Sequence, residues 1–333
     1  MIIVAMQPST SSAAANASGA DAPVPQGALR LDDWGVIRAR GEDAATFLQG
    51  QLTNDVLGLG AGEARLAGYC SAKGRLLATF VVWRDAAGDF LLACSADLLA
   101  PTLKRLSMFV LRAKCKLSDA STEVPLWGLA GEAGLAALGQ AAPPRAWAVV
   151  SLTAAGQAAQ AVRLPDAPVG GIAVPRVLFA GLALPSPAPA LEACAWQWLE
   201  AKSGTARIVA ATVEQFVPQM VNLELVGGVN FQKGCYPGQE VVARSQYRGT
   251  LKRRAFVVSG SEGLRPGQEV FHEADPGQPA GMVVLAGAHA GAFAGLVELK
   301  LAAAEGGTLH LGRADGTPLA LGTLPYSMPM QEA

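Results

Sequence analysis

The last part of the chain, from about Phe256, alternates short apolar runs with turns rich in glycine and proline. Several such runs in succession favour a small β-barrel. One long uncharged stretch, 280–297, falls inside this part and consists mostly of Gly and Ala. We expect it to form two strands, Met282–Leu285 and Phe293–Leu301, joined by a turn at Gly287–Gly291, and not a membrane span.

A different pattern occupies Ala28 to about Ser118, where strand-like and helical segments alternate. The predicted strands are Gly35–Ala39, Arg65–Cys70, Arg75–Trp83 and Phe90–Cys94, and the predicted helices are 44–56 and Asp97–Arg112. This order favours an α+β layer with helices on one face of an antiparallel sheet.

The whole chain of 333 residues is long enough for two or three domains. We predict a disordered tail (1–26), an N-terminal α+β domain (27–120) completed by 190–250, a middle α+β domain (121–189), a helix-and-motif segment (190–255) and a C-terminal β-barrel (256–333). The predicted helix Leu191–Ser203 places Trp196 and Trp198 ~200° apart at 3.6 residues per turn. One of the two indoles is therefore expected to line a second surface, such as a pocket wall.

The net charge of −1 gives no global attraction to nucleic acid or to an anionic membrane. Any anionic partner needs a local basic patch, and one candidate lies between positions 244 and 254. Its cations are Arg244, Arg248, Lys252, Arg253 and Arg254. They suit RNA phosphates or the carboxylates of a folate tail, and a solvated surface explains them equally well.

The five cysteines are odd in number and form no CxxC pair, so the sequence favours neither a disulfide framework nor a ready-made metal cage. A reducing cytoplasm fits best. The phosphate-binding GxxxxGK[ST] motif, a well-placed GxGxxG and HExxH are all absent. No stably bound metal is predicted.

The segment Lys233-Gly-Cys-Tyr-Pro-Gly-Gln-Glu240 surrounds one thiol with turn-forming residues. The ammonium of Lys233 would favour the Cys235 thiolate if the two lie close. A lone cysteine is, however, more often a small buried hydrophobe, and no histidine is near in sequence to act as its base. The segment therefore argues against a Cys–His hydrolase and leaves a redox or cluster-contact role open.

These residues resemble the YgfZ-type branch of the glycine-cleavage T-protein (aminomethyltransferase) superfamily. The matching stretches are Leu31–Gly35, Phe47–Asp55, Cys70–Gly74, Pro218–Asn222, Gly227–Glu240 and Leu324–Ser327. The KGCYxGQE element is highly specific. The resemblance implies a ring of three domains, antiparallel sheets with helices packed on them and a C-terminal barrel, around a channel that binds tetrahydrofolate or a derivative.

The resemblance also implies the site residues and partners. Cys235 would be the functional thiol, framed by Lys233, Tyr236, Gln239 and Glu240. The folate would be bound by Trp34, Trp196, Gly234, Gly238 and Arg244. A cytoplasmic monomer would maintain iron–sulfur client enzymes, including a tRNA methylthiolation enzyme, so that any effect on tRNA is indirect.

One departure from the aminomethyltransferases bears on chemistry. Ala78-Thr79 stands where those enzymes carry an Asp pair, and Lys202 stands where they often have Glu. Neither Ala78 nor Thr79 can act as a carboxylate base. A folate-dependent aminomethyl or one-carbon transferase is therefore the second hypothesis, and a protein that binds tRNA directly is the third.

Overall fold

The structure is a computed structural model that describes residues 22–247 and 251–328. Most of the predicted tail lies outside these residues, but 22–26 pack against the protein. The Pro23 carbonyl oxygen is 2.8 Å from His289 Nε2, and Gln26 Oε1 accepts the Ala133 N–H at 3.1 Å. Residues 22–26 are therefore fixed to the protein and are not part of a free tail.

The secondary structure is mainly β. The strands are β1 (Gly27–Arg30), β2 (Trp34–Arg40), β3 (Ala64–Cys70), β4 (Leu76–Arg84), β5 (Phe90–Ser95), β6 (Lys116–Asp119), β7 (Leu126–Ala130), β8 (Val149–Ala154), β9 (Gln157–Val169), β10 (Ile172–Ala180), β11 (Arg253–Gly260), β12 (Glu269–His272), β13 (Gly281–His289), β14 (Ala292–Lys300), β15 (Leu309–Leu311) and β16 (Pro318–Leu321). The α-helices are α1 (Ala44–Gln49), α2 (Ala96–Val110), α3 (Gly131–Leu135), α4 (Ala193–Lys202) and α5 (Gln239–Tyr247).

The first sheet is antiparallel, with strand order β3-β4-β5-β2-β6. Helices α1 and α2 bury Leu48 and Leu106 in one core cluster with Phe80 of β4. This is the predicted layer, but α1 ends at Gln49 and not at Val56. Because the Gln49 side chain accepts the Val56 N–H at 2.6 Å, the segment beyond α1 folds back as turns.

The second sheet has the order β1-β7-β10-β9-β8 and is also antiparallel. It includes β1, although this strand precedes the whole first sheet in the chain. One core cluster joins Trp83 of the first sheet, Leu178 of the second and Trp196 of α4. The two sheets and α4 therefore share a single hydrophobic interior.

The third unit is a closed barrel, β11-β14-β13-β12-β15-β16. Its hairpin β13–β14 turns at Ala290-Gly291, so β13 is longer than predicted and contains Gly287. A Cβ at Gly287 would lie 2.1 Å from the backbone nitrogen of Trp198, which shows how closely α4 packs on the barrel. Within the described ranges, no helix is long and apolar enough to cross a membrane.

Candidate functional site

Helix α4 is the element that touches all three units, and its two indoles face different neighbours. Trp198 lies 5.7 Å from the His289 ring of the barrel, measured between ring centroids. Trp196 instead packs beneath Gly128 of β7, where a Cβ would lie 2.8 Å from the indole. The predicted separation of the two faces is confirmed. Cys194, near the start of the same helix, is exposed.

A small cavity, here called the inner cavity, lies between the two sheets and the segment after α4. Its volume is about 30 Å³, the space of one water molecule. It is lined by Trp34, Leu66, Thr79, Phe80, Val81, Trp147, Leu164, Pro165, Arg176, Glu200, Thr205, Ala206 and Arg207. The indole Nε1 of Trp34 is buried and has no hydrogen-bond acceptor in the part of the chain described. The cavity thus offers an unused donor.

An ion-pair network forms one wall of this cavity. The Arg207 guanidinium donates to both carboxylate oxygens of Glu200, at 3.0 Å each, and to Asp33 at 2.8 Å. It also stacks on the Trp34 ring at 4.7 Å. Burial alone would lower the pKa of Arg207, but its interactions with Glu200 and Asp33 outweigh burial and raise that pKa. Arg207 is therefore held as a fully paired cation.

A larger outer cavity, of about 440 Å³, lies on the other side of this network. Asp33, Glu200 and Arg207 line it together with Pro266 and Leu285 from the barrel. The inner and outer cavities share Glu200 and Arg207. The Glu200–Arg207 ion pair thus forms the partition between the small inner cavity and the larger outer one.

Arg176 lies at a β-bulge in β10, and its side chain lines the inner cavity. The pairing of β9 with β10 shifts between Val174 and Arg176, and Pro165 and Pro175 at this point have no N–H to donate. The Pro165 carbonyl, left out of the ladder, accepts from Arg176 Nε at 3.1 Å and Nη2 at 2.9 Å. The bulge therefore turns a long cation into the protein interior.

The structure gives new surroundings for several positions that the sequence singled out. Lys202 packs over the Trp198 ring at 5.4 Å, away from the inner cavity, and the acid that faces this cavity is Glu200. Of the pair Ala78-Thr79, only Thr79 lines the cavity, and its hydroxyl accepts the Ile208 N–H at 3.0 Å. Trp196 lies behind Arg176, whose guanidinium is 5.7 Å from the ring, and does not itself line the cavity.

The predicted thiol lies in a separate, well-anchored turn. Lys233 Nζ donates to the carbonyls of Gln49 and Leu52 at the end of α1. Burial lowers the pKa of Lys233 to about 8, opposed by the negative charges of Asp55 and the Cys235 thiolate. The Tyr236 side chain is buried and burial raises its pKa, whereas Cys235 between the two is exposed. The turn therefore presents a thiol to solvent from a rigid frame.

Gly238 fixes this turn against the β3–β4 hairpin. Its φ is +78°, and a Cβ there would lie 2.4 Å from the Ser71 carbonyl oxygen and 2.7 Å from Gly74. Nothing lies within 4 Å of a Cβ placed on Gly234. Two of the matching stretches, Cys70–Gly74 and Lys233–Glu240, are thus in direct contact.

The remaining motif residues begin α5. Gln239 is its first residue, and the Glu240 carboxylate forms an exposed ion pair with Arg244 at 3.0 Å. Gly234, Gly238 and Arg244 line neither the inner nor the outer cavity. The structure thus separates these three predicted folate-binding residues from Trp34.

The predicted basic patch does not form one free surface. Arg253 pairs with Glu298 at 3.1 Å, and the buried Arg254 pairs with Glu224. Lys252 is exposed, and Arg248 lies outside the described residues. In the described ranges, no group of His, Cys, Asp and Glu side chains is arranged to hold a metal ion.

Sequence comparison finds relatives named tRNA-modifying protein YgfZ. The protein from Edwardsiella ictaluri is 34% identical over 258 residues, covering 70% of this chain and 71% of the relative. That from Klebsiella pneumoniae is 33% identical over 254 residues, covering 74% and 75%. The chain belongs to the YgfZ family. A scan against protein-family models finds no match.

Comparison of structures places the YgfZ fold beside that of the aminomethyltransferases. The glycine cleavage system aminomethyltransferase T from Bartonella henselae superposes with a TM-score of 0.64, covering 91% of this chain and 87% of the enzyme. The two sequences are 16% identical, so this likeness concerns the fold. The predicted α+β class, aminomethyltransferase-like fold and C-terminal barrel are confirmed.

Proposed function

We propose that this YgfZ-family chain binds tetrahydrofolate or a derivative at the inner cavity and supports iron–sulfur client enzymes through Cys235. Its relatives are named as tRNA-modifying proteins. In this proposal the effect on tRNA is indirect, through a client such as a methylthiolation enzyme. The observation that carries the folate assignment is the inner cavity, whose lining includes the Trp34 indole with a buried N–H that has no acceptor among the described residues.

The residues around the cavity suit a pterin. Trp34 offers a flat aromatic face and an unpaired N–H, and Thr79 and Arg176 add polar groups. A space of about 30 Å³ is too small for a two-ring heterocycle, so binding requires the cavity to open. The Glu200–Arg207 partition is the wall that would open into the outer cavity of about 440 Å³. A bound reduced folate would supply one-carbon chemistry.

A folate-dependent transferase is the second candidate, favoured by the presence of Glu200 in the cavity. Both carboxylate oxygens of Glu200, however, accept hydrogen bonds from Arg207. A carboxylate held in this way by a permanent cation is a poor proton acceptor, because protonation would break a buried ion pair. The geometry therefore supports folate binding better than aminomethyl transfer.

The role of Cys235 is tested by substituting the thiol and measuring two properties separately. Cys235→Ser should keep the tetrahydrofolate affinity of the natural chain, because the thiol lines neither cavity. In cells that lack their own YgfZ protein, the variant should fail to restore the activity of an iron–sulfur methylthiolation enzyme.

Cys194→Ser is the matched control, because Cys194 is also exposed but lies on α4. It should restore the activity fully. Full restoration by Cys235→Ser would remove the thiol from the proposal and leave the folate site untouched.

A further inference from the structure

Arg176 is a buried cation without a charge partner. Its side chain is 3% exposed, and no carboxylate in the described residues forms an ion pair with it. Its two hydrogen bonds, from Nε and Nη2, both go to the single carbonyl of Pro165. Arg207, on the other side of the cavity, is paired with two acids. The charge of Arg207 is therefore compensated by neighbouring carboxylates, whereas the charge of Arg176 is not.

An uncompensated charge in the interior is costly, because the guanidinium loses water and gains no counter-charge. Because burial disfavours the charged form, it lowers the pKa of Arg176 to about 10. Glu200 and Asp166 oppose this effect, but the Glu200 oxygens are bound to Arg207 and Asp166 pairs with Arg163. The β-bulge holds the Arg176 guanidinium in the interior without a carboxylate partner. Such a group is a candidate for donating hydrogen bonds to a ligand.

We propose that Arg176 determines ligand specificity by donating to an oxo group on the edge of the heterocycle in the inner cavity. This inference rests on the proposed folate function. A guanidinium is a donor only, so it accepts no hydrogen bond from an amino group. A pterin carries an oxo group at position 4, and its 4-amino analogue carries a donor at the same place. Arg176 thus selects 4-oxo over 4-amino heterocycles.

The test compares tetrahydrofolate with its 4-amino analogue, tetrahydroaminopterin, by anaerobic calorimetry. The natural chain should bind tetrahydrofolate at least ~10-fold more tightly, because the amino compound leaves a buried donor facing a donor. Arg176→Gln should weaken tetrahydrofolate binding at least ~10-fold and reduce the preference, because an amide both donates and accepts. Arg65→Gln is the control, since Arg65 lies on β3 and pairs with Asp55 outside the inner cavity.

A purely structural role is separated by thermal unfolding of the ligand-free proteins. Removing an unpaired buried charge should leave the melting temperature of Arg176→Gln equal to or above that of the natural chain. A marked drop would mean that Arg176 supports the fold, and it would overturn the inference. Arg176→Lys, which keeps the charge, provides a second folded variant and should retain the 4-oxo preference.

The two possible failures are distinguishable. If the natural chain binds neither compound, the proposed folate function falls. If it binds tetrahydrofolate but shows no preference over the 4-amino analogue, or if Arg176→Gln keeps the full preference, only the role of Arg176 is refuted.

Discussion

At the scale of single residues, three of the buried cations in the described part of the chain have different kinds of partner. Arg207 is neutralised by two carboxylates, Arg176 by none among the described residues, and Lys233 by backbone carbonyls. A carbonyl oxygen carries only a partial negative charge, so it does not fully offset the effect of burial on the pKa of Lys233. This difference makes the stability of the Lys233 turn dependent on pH.

The pKa of Lys233 falls from its ordinary 10.5 to about 8 in the folded protein. Between these pH values the unfolded chain binds the proton more strongly, so the free energy of unfolding should rise with pH through this window. The gain is confined to this window and is absent in Lys233→Met, which carries no titrating group at this position. Denaturant unfolding of both proteins from pH 7 to 11 measures it.

Lys73→Met serves as the control, because Lys73 is exposed in the neighbouring hairpin. Its unfolding free energy should follow that of the natural chain at every pH. Parallel curves for the natural chain and Lys233→Met would contradict the assigned burial of this ammonium.

Sequence reasoning found some of these residues and missed others for identifiable reasons. Trp34 was predicted from the family resemblance, and it does line the inner cavity. Glu200 was missed although it lies four residues after Trp196, which places both on one helical face. Arg176 could not be found by periodicity, because the bulge that turns it inward depends on how β9 pairs with β10.

At the scale of elements, the motif turn and the β3–β4 hairpin act as one unit. Gly238 meets Ser71 and Gly74, while a Cβ on Gly74 would approach Val241 of α5 to 2.9 Å. The sequence pattern predicts a turn in each stretch. It does not predict the contact between them, because that contact joins positions far apart in the chain. The position of the Cys235 loop thus depends on a long-range glycine contact.

Gly238→Ala should destabilise the protein by about 1–3 kcal/mol, because alanine is strained at positive φ and its Cβ would strike the Ser71 carbonyl. Gly234→Ala, in the same turn, should change the free energy of unfolding by less than about 0.5 kcal/mol, since nothing surrounds its Cβ. Urea unfolding of the two variants compares them directly. Equal effects would show that the turn is not held by the hairpin.

At the scale of the whole molecule, the two sheets and the barrel pack around α4 and the segment after it. Trp198 contacts the barrel, Trp196 contacts the second sheet, and Arg207 reaches Asp33 beside the first sheet. Tyr326, which follows the barrel, donates to the Gly204 carbonyl at 2.7 Å and so ties this segment to the same place. The inner cavity lies where these contacts converge.

The broad architecture was accessible from sequence, because short apolar runs and amphipathic helices are local patterns. The barrel after Phe256 and the helix-covered first sheet were both predicted on that basis. The entry of β1 into the second sheet was not, since strand pairing over such a distance leaves no periodic signal. The cavity, which is built from all these parts, was accessible only through the resemblance.

The most direct test of the account is anaerobic calorimetry of tetrahydrofolate binding to the natural chain, Trp34→Ala and Trp127→Ala. Trp127 is the control, because its indole already donates to the Gly181 carbonyl on the second sheet, away from the inner cavity. We expect one ligand per chain, at least ~10-fold weaker binding by Trp34→Ala through lost stacking and packing, and unchanged binding by Trp127→Ala. Absence of binding to the natural chain, or equal affinity for Trp34→Ala, would contradict a folate site at the inner cavity.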